Sequence, residues 1–302
     1  MKILYIGVHD YKNESNWRTE SFVSKAFEKH NIILNKIDYR SLLKSAGQLE
    51  LKKQINKNSE DCQLVFLQRG EGISHDIFSD INIPIIFWSS EPINRNKDVD
   101  SLLKHDIFSW VYLHTDSCIN RIQSDFPHLI NKISVLHNAV DEEKIIQKHS
   151  KRKYFAIFNR TVSLRRKYWL FRSRNLIKII KGRYGEHYYQ DLQNSTIAVN
   201  IHYSSKSIDD FETGIFEAMA CGCVIVSEKL PLKTMKDLEM ENAIIEVESP
   251  KDLKKQLIYL KNNPKLLLEY QTKTKNVIKL NTWSNRIEDI KLKFEEILSS
   301  KS

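Results

Sequence analysis

The sequence lacks any apolar run near the ~20 residues that a membrane-spanning helix needs, which argues against an integral helical membrane protein. Its opening residues, MKILYIGV, are too short and too soon followed by polar residues to read as a secretory signal, and are read as a first strand. Cysteine is scarce: Cys62, Cys118, Cys221 and Cys223 are too few for a disulfide framework. The Cys221-x-Cys223 pair lacks the further ligands of a zinc site, so reduced thiols in a cytoplasmic protein are expected. Neither an internal repeat nor a low-complexity tract is present, and no nucleic-acid-binding module is recognisable.

What is present is enough apolar content for real cores, 41% of 302 residues, a length that favours two domains. The formal net charge of +9 suits anionic partners such as nucleotides, nucleic acid or an anionic membrane face.

Along the chain, residues 1–147 alternate strand and helix. The strand candidates are 2–8, 32–39, 62–68, 82–88, 110–115 and 132–138, with an amphipathic helix at 21–30 between the first two. Nearly continuous apolar strands separated by helices indicate a parallel sheet covered on both faces. The polar, basic stretch KHSKRK (148–153) interrupts the pattern and is read as the linker. Alternation then restarts, with strands at 154–159, 196–203, 224–228 and 243–247 and a helix at 249–263 that opens on Ser249-Pro250. Near the end, Trp283, Ile287, Ile290, Phe294 and Ile297 fall on one stripe of a last helix. Two successive α/β, doubly wound, Rossmann-like domains are expected, 1–147 and 148–281, followed by a helix over 282–302. Ligands of such domains bind outside the carboxyl ends of the strands.

The stretch DDFETGIFEAMACGCVIVSE (209–228) carries the most chemistry. A polar loop leads into a helix that begins near Gly214 and stops at Gly222, just before the strand 224–228. The helix start, Thr213-Gly214-Ile215, offers N–H groups and the positive dipole end to a phosphate, and Gly214 permits close backbone approach. Glu217 is placed to accept ribose hydroxyls, and Asp209 hydroxyls of a sugar. Asn200 and His202 share one face of the preceding strand, and His202 joins the candidate binding residues.

These residues resemble the donor-site signature of GT-B glycosyltransferases, an acidic residue followed after seven positions by Glu, then Ala-x-Ala-x-Gly and a strand: here Asp209 and Glu217 to Gly222. The form FETGIFEAMACGCVIVSE is most similar to the CgeB-like branch. The family has Glu at the first acidic position and Phe-Gly where this chain has Phe211-Glu212. Arg160 and Arg165, in FNRTVSLRRK, occupy the positions of its Arg-x4-Lys phosphate pair; HNAVDEE (137–143) is similar to its Asn-Gly-Val-Asp segment, and WSSEP (88–92) to a Trp-x-x-Asp-x-Pro-like element.

The resemblance implies two lobes facing a cleft, with the terminal helix crossing back to the first. It implies transfer of a sugar from a UDP- or GDP-sugar to a glycan, lipid-linked or protein acceptor, as in bacterial cell-surface glycan synthesis, with the nucleotide sugar as co-substrate and no cofactor or metal. The binding set is Arg160, Arg165, His202, Thr213, Gly214, Ile215 and Glu217; the catalytic candidates are Glu91 as base, His114, and Asp209 at the sugar. Asp98-Val99-Asp100 is read as a polar helix entry rather than a metal motif. A GT-B epimerase, a non-catalytic sugar-nucleotide binder and a DNA-modifying glycosyltransferase are alternatives. Nucleic acid is not expected as a partner, although RRKYWLFRSR (165–174) interleaves basic and aromatic residues. Peripheral contact with the inner membrane face is compatible with this reading, through lysine-rich helices such as 42–57.

Overall fold

Apolar runs bounded by polar turns become parallel strands throughout the computed structural model, which describes residues 1–9, 15–94, 97–146, 152–205 and 211–300. β1 (Lys2–Gly7), β2 (Ile33–Asp38), β3 (Leu64–Gln68), β4 (Ile85–Ser89), β5 (Trp110–Leu113) and β6 (Ile133–Val135) form one sheet in the order β2-β1-β3-β4-β5-β6, every pairing parallel. β3 and β4 are buried along their whole length, as strands covered on both faces must be. The accompanying helices are α1 (Thr19–Lys29), α2 (Tyr39–Ser59), α3 (Asp100–Leu103) and α4 (Ile119–Asp125). Asp38 caps α2 by accepting the Ser41 N–H at 2.8 Å. The same helix is interrupted at Gly47, whose φ of 77° glycine adopts without the Cβ penalty. Asp100 opens α3, so Asp98-Val99-Asp100 does lead into a helix.

The second sheet repeats the scheme. β7 (Tyr154–Phe158), β8 (Ile177–Ile179), β9 (Ser195–Asn200), β10 (Val224–Glu228) and β11 (Ile244–Val247) lie in the order β11-β10-β9-β7-β8, again all parallel. Its helices are α5 (Leu164–Phe171), α6 (Gly185–Gln193), α7 (Thr213–Ala220), α8 (Leu232–Asp237), α9 (Pro250–Asn262) and α10 (Pro264–Leu280). β8 is a short edge strand with two of its three residues exposed, too brief to leave a period in the sequence. β9 ends at Asn200, so Ile201 to Tyr203, the last three residues of the expected strand, are loop instead. In both sheets the first strand lies between the second and the third, which puts a topological switch point between β1 and β3, and another between β7 and β9.

The chain ends in α11 (Trp283–Ser299), which belongs to the first unit and packs on α1. Trp283, Ile287, Ile290, Phe294 and Ile297, the stripe legible in the sequence, are all buried. The Phe294 ring lies 6.0 Å from Phe27 and 5.9 Å from Phe66, and the Trp283 ring 5.2 Å from Trp88. Each such buried side chain contributes about 1.5–3 kcal/mol of transfer free energy. The two units comprise Met1–Asn138 with Trp283–Ser302, and Ala139–Thr282. The division expected between 147 and 148 falls outside the described residues, as does most of the expected linker. At the linker's end Arg152 is no free tether: its guanidinium donates to the carbonyls of Gln193 (2.5 Å), Ser195 (2.9 Å) and Cys221 (3.0 Å).

Candidate functional site

The candidate site is built at the switch point of the second sheet. β7 delivers Asn159 and Arg160 past its carboxyl end, β9 delivers Asn200, and β10 delivers Ser227 and Glu228. Because Ser227 is in register with Asn200, its Oγ accepts the Asn200 Nδ2–H at 2.9 Å. The Asn200 Oδ1 in turn accepts from Arg160 Nη1 at 2.6 Å, so three strand ends are linked by one polar chain.

Above that chain sits the start of α7. The guanidinium of Arg160 lies against the α-carbon of Gly214: a Cβ added there would stand 2.7 Å from Arg160 Cζ and 2.9 Å from the Tyr188 hydroxyl. Only glycine leaves that space. Together with Asn159, Asn200 and Ile215, these residues line a small, partly open hollow. The Ile215 N–H already donates to the Glu212 carbonyl at 3.0 Å, while Thr213 and Gly214 have no carbonyl four residues back within the helix, so the helix start, a cation and the hollow converge.

Carboxylates balance the cations. Glu212, at the N-cap position of α7, does not cap the helix with its side chain. It accepts instead from Arg160 and from Arg166 Nη2 (3.1 and 3.3 Å), lying between the two guanidinium groups. Burial opposes the charge of both arginines; beside Glu212 the Arg160 pKa is nevertheless held above its ordinary value, while that of Arg166 is lowered. Arg165 makes a two-pronged pair with Glu228 and donates to the His202 carbonyl at 3.1 Å. Glu217, one turn into α7, is half-buried near the Tyr189 hydroxyl (3.4 Å). Burial raises the pKa of its carboxyl, against the opposing pull of Arg160 and the hydroxyls of Tyr188 and Tyr189.

His202 is fully buried; its Nε2 lies 2.9 Å from the Lys229 carbonyl, and its Nδ1 has no partner among the described residues. Thr213, Gly214 and Ile215 form the first turn of α7, with Ile215 buried. Asp209 lies outside the described residues. The four cysteines are buried; burial pushes the Cys223 thiol up to about 12, and it donates to the Leu192 carbonyl.

Glu91 and His114 belong to the first unit. Glu91 follows β4, is about half exposed (48%) and accepts from Arg69 Nη2 at 3.2 Å. Arg69, in the left-handed region at φ 73°, also pairs with the buried Glu20 at 3.0 Å and with Glu71 at 3.5 Å. His114 follows β5, is buried, and has Nδ1 3.2 Å from the Asn138 side-chain nitrogen.

Sequence reasoning missed Tyr188, Glu228 and the bridging position of Glu212. One signal was available for the last: a charged residue standing where the resembling signature has glycine.

Two parallel doubly wound sheets and a last helix returning to the first define a GT-B fold. Residues 144–291 match the model of the glycosyl transferase-like family. No curated protein matches the chain. Among solved structures it is similar to HepE from Anabaena in complex with UDP-glucose, at 12% identity over 99% of this chain and 100% of that one, with a TM-score of 0.65. A glycosyltransferase from Rickettsia africae is similar at 11% identity over 98% of each chain, TM-score 0.64. T4 phage BGT in complex with UDP-glucose is similar at 12% identity over 99% of this chain and 98% of that one, TM-score 0.59.

Proposed function

We propose that the chain is a cytoplasmic, metal-independent glycosyltransferase that moves a hexose from a nucleotide-diphosphate sugar to an acceptor. One observation carries this reading: the Arg160 guanidinium fills the space that a side chain at residue 214 would need, at the start of α7 and at the switch point of its sheet. The diphosphate binds there, on Arg160, Arg165 and the first turn of α7, Thr213, Gly214 and Ile215. Glu217 holds the ribose, His202 borders the nucleotide, and Asp209 holds the sugar.

As the bond to the sugar breaks, negative charge grows on the departing diphosphate. Fixed arginines and helix N–H groups aimed at that charge stabilise it more than they stabilise the bound substrate, which is what lowers the barrier. The first domain (1–147) presents the acceptor, a glycan, lipid-linked or protein hydroxyl, to Glu91 as base with His114 beside it. Residues 148–281 hold the donor, and 282–302 cross back.

Thermal-shift measurements with UDP, GDP, CDP and ADP identify the base, and a UDP-hexose such as UDP-glucose is the first donor to assay. The UDP- and UDP-glucose-bound neighbours favour uridine. Stabilisation by none of the four nucleotides would overturn the reading. Conversion of the nucleotide sugar without any acceptor would instead identify an epimerase.

A further inference from the structure

We propose that the outward faces of α5 and α9 form a docking surface for an anionic lipid bilayer. α5 is apolar on two opposite sides. Trp169 and Leu170 turn inward to the core of the second sheet, and Arg166 is buried beside them. Leu164, Tyr168 and Phe171, at i, i+4 and i+7, form a stripe on the other side, 82%, 68% and 66% exposed. A solvent-facing helix side is ordinarily polar. Single exposed apolar residues are common, but three in one stripe on an eight-residue helix mark a contact surface.

The charge around this stripe has one sign. Lys167 and Arg172 flank it on the helix wheel, Arg174 follows, and all three are exposed. From Lys144 to Gly185 the chain has 14 Lys and Arg residues and not one Asp or Glu. α9 extends the surface. Its Leu253, Leu257 and Leu260 share a core cluster with Trp169 and Leu170, so both helices lie on one face of the sheet and turn their outer sides the same way. The outer side of α9 carries exposed Lys251, Lys254 and Lys255 with Ile258 and Tyr259. Its acidic residue, Asp252, accepts the Glu248 N–H at 3.2 Å and is occupied at the helix start.

An apolar stripe set among lysines and arginines is the arrangement of helices that lie in the headgroup region, where basic residues meet anionic headgroups and apolar ones reach the acyl boundary. Leu164 and Ile258 have no π-face for stacking on bases, which favours lipid over single-stranded nucleic acid. Among the described residues no helix is long and apolar enough to cross a membrane, so the contact is peripheral.

The test is co-sedimentation of the full chain with vesicles of phosphatidylcholine alone and of an equal mixture with phosphatidylglycerol. Wild type should pellet with the mixed vesicles and remain soluble with the neutral ones. A Leu164→Ser, Tyr168→Ser, Phe171→Ser variant should lose about tenfold or more in partitioning, since apolar and charged signals are both needed for stable binding. Lys167→Ser with Arg172→Ser should weaken binding and reduce its sensitivity to salt. An unchanged melting temperature in the variants shows that they are folded, whatever nucleotide the second unit binds. Failure of wild type to bind mixed vesicles at low salt would overturn the proposal, as would full binding by the triple variant. Binding of a single-stranded oligonucleotide that the triple variant loses, with no vesicle binding, would assign the surface to nucleic acid instead.

Discussion

The guanidinium of Arg160 occupies the volume that any side chain at position 214 would take, with Cζ 2.7 Å from an ideal Cβ. Gly214→Ala therefore has to push Arg160 away from the start of α7. Alanine is the better helix former by roughly 0.8–1 kcal/mol, which offsets part of the steric cost to stability. Nucleotide diphosphate affinity is expected to fall about tenfold or more, or 1.4 kcal/mol, while the melting temperature changes little. Titration calorimetry with UDP beside a thermal melt checks both numbers; unchanged affinity would separate Arg160 from the ligand.

Glu212 lies between Arg160 and Arg166 at the helix start, where a phosphate would also be drawn. Replacing it with Gln leaves two largely buried guanidinium groups short of their counter-ion, at a cost of about 1–3 kcal/mol. It also removes the negative charge that competes with a diphosphate for the two arginines. The Glu212→Gln protein should melt lower than wild type without ligand and gain more from UDP than wild type does. A smaller gain in the variant would mean that Glu212 positions the arginines for the ligand.

Glu217 sets a pH dependence. Burial raises its folded-state pKa above the ordinary 4.5, so the folded chain holds that proton more tightly than the unfolded chain. Its contribution to stability is thus fully present below 4.5 and is lost as pH rises through the raised value. Donor binding runs the other way, because the ionised carboxylate is the better acceptor of ribose hydroxyls. UDP affinity should fall on acidification at a pH above the ordinary glutamate range, and Glu217→Gln should flatten that limb. A profile identical in wild type and variant would remove Glu217 from the ribose.

Phe294 joins α11 to the first unit through Phe27 and Phe66. It is fully buried, so Phe294→Ala should cost about 3–5 kcal/mol through lost transfer energy and the cavity left behind. Denaturant unfolding followed by Trp fluorescence measures this; a loss below about 1 kcal/mol would mean that the site collapses to fill the space.

Metal independence has a direct check. Sugar transfer should survive an excess of chelator, because the proposed leaving-group charge is met by arginines and N–H groups. Abolished activity, restored by a divalent ion, would assign that task to a metal.

Much of this was legible locally. The alternation of apolar runs and amphipathic helices appears as two parallel sheets, and the five-residue stripe of the last helix is the face that α11 buries. Local patterns succeed there because burial leaves a period of two in strands and 3.6 in helices, independent of which partner supplies the burial. β8 escaped because three residues are too few for a period.

The sequence by itself determined the sheet-forming segments, the helix that opens at Thr213-Gly214 and the glutamate one turn inside it. Tertiary structure alone decided which charges meet: Arg160 with Glu212, 52 residues away, and Arg165 with Glu228, 63 residues away. Those pairings follow from strand order, which sets β7 beside β9 and β9 beside β10, and no nearest-neighbour pattern along the chain encodes that order. A guanidinium reads the same in sequence whether it faces a carboxylate, a carbonyl or an open hollow; only the packed sheet fixes which of these lies within reach.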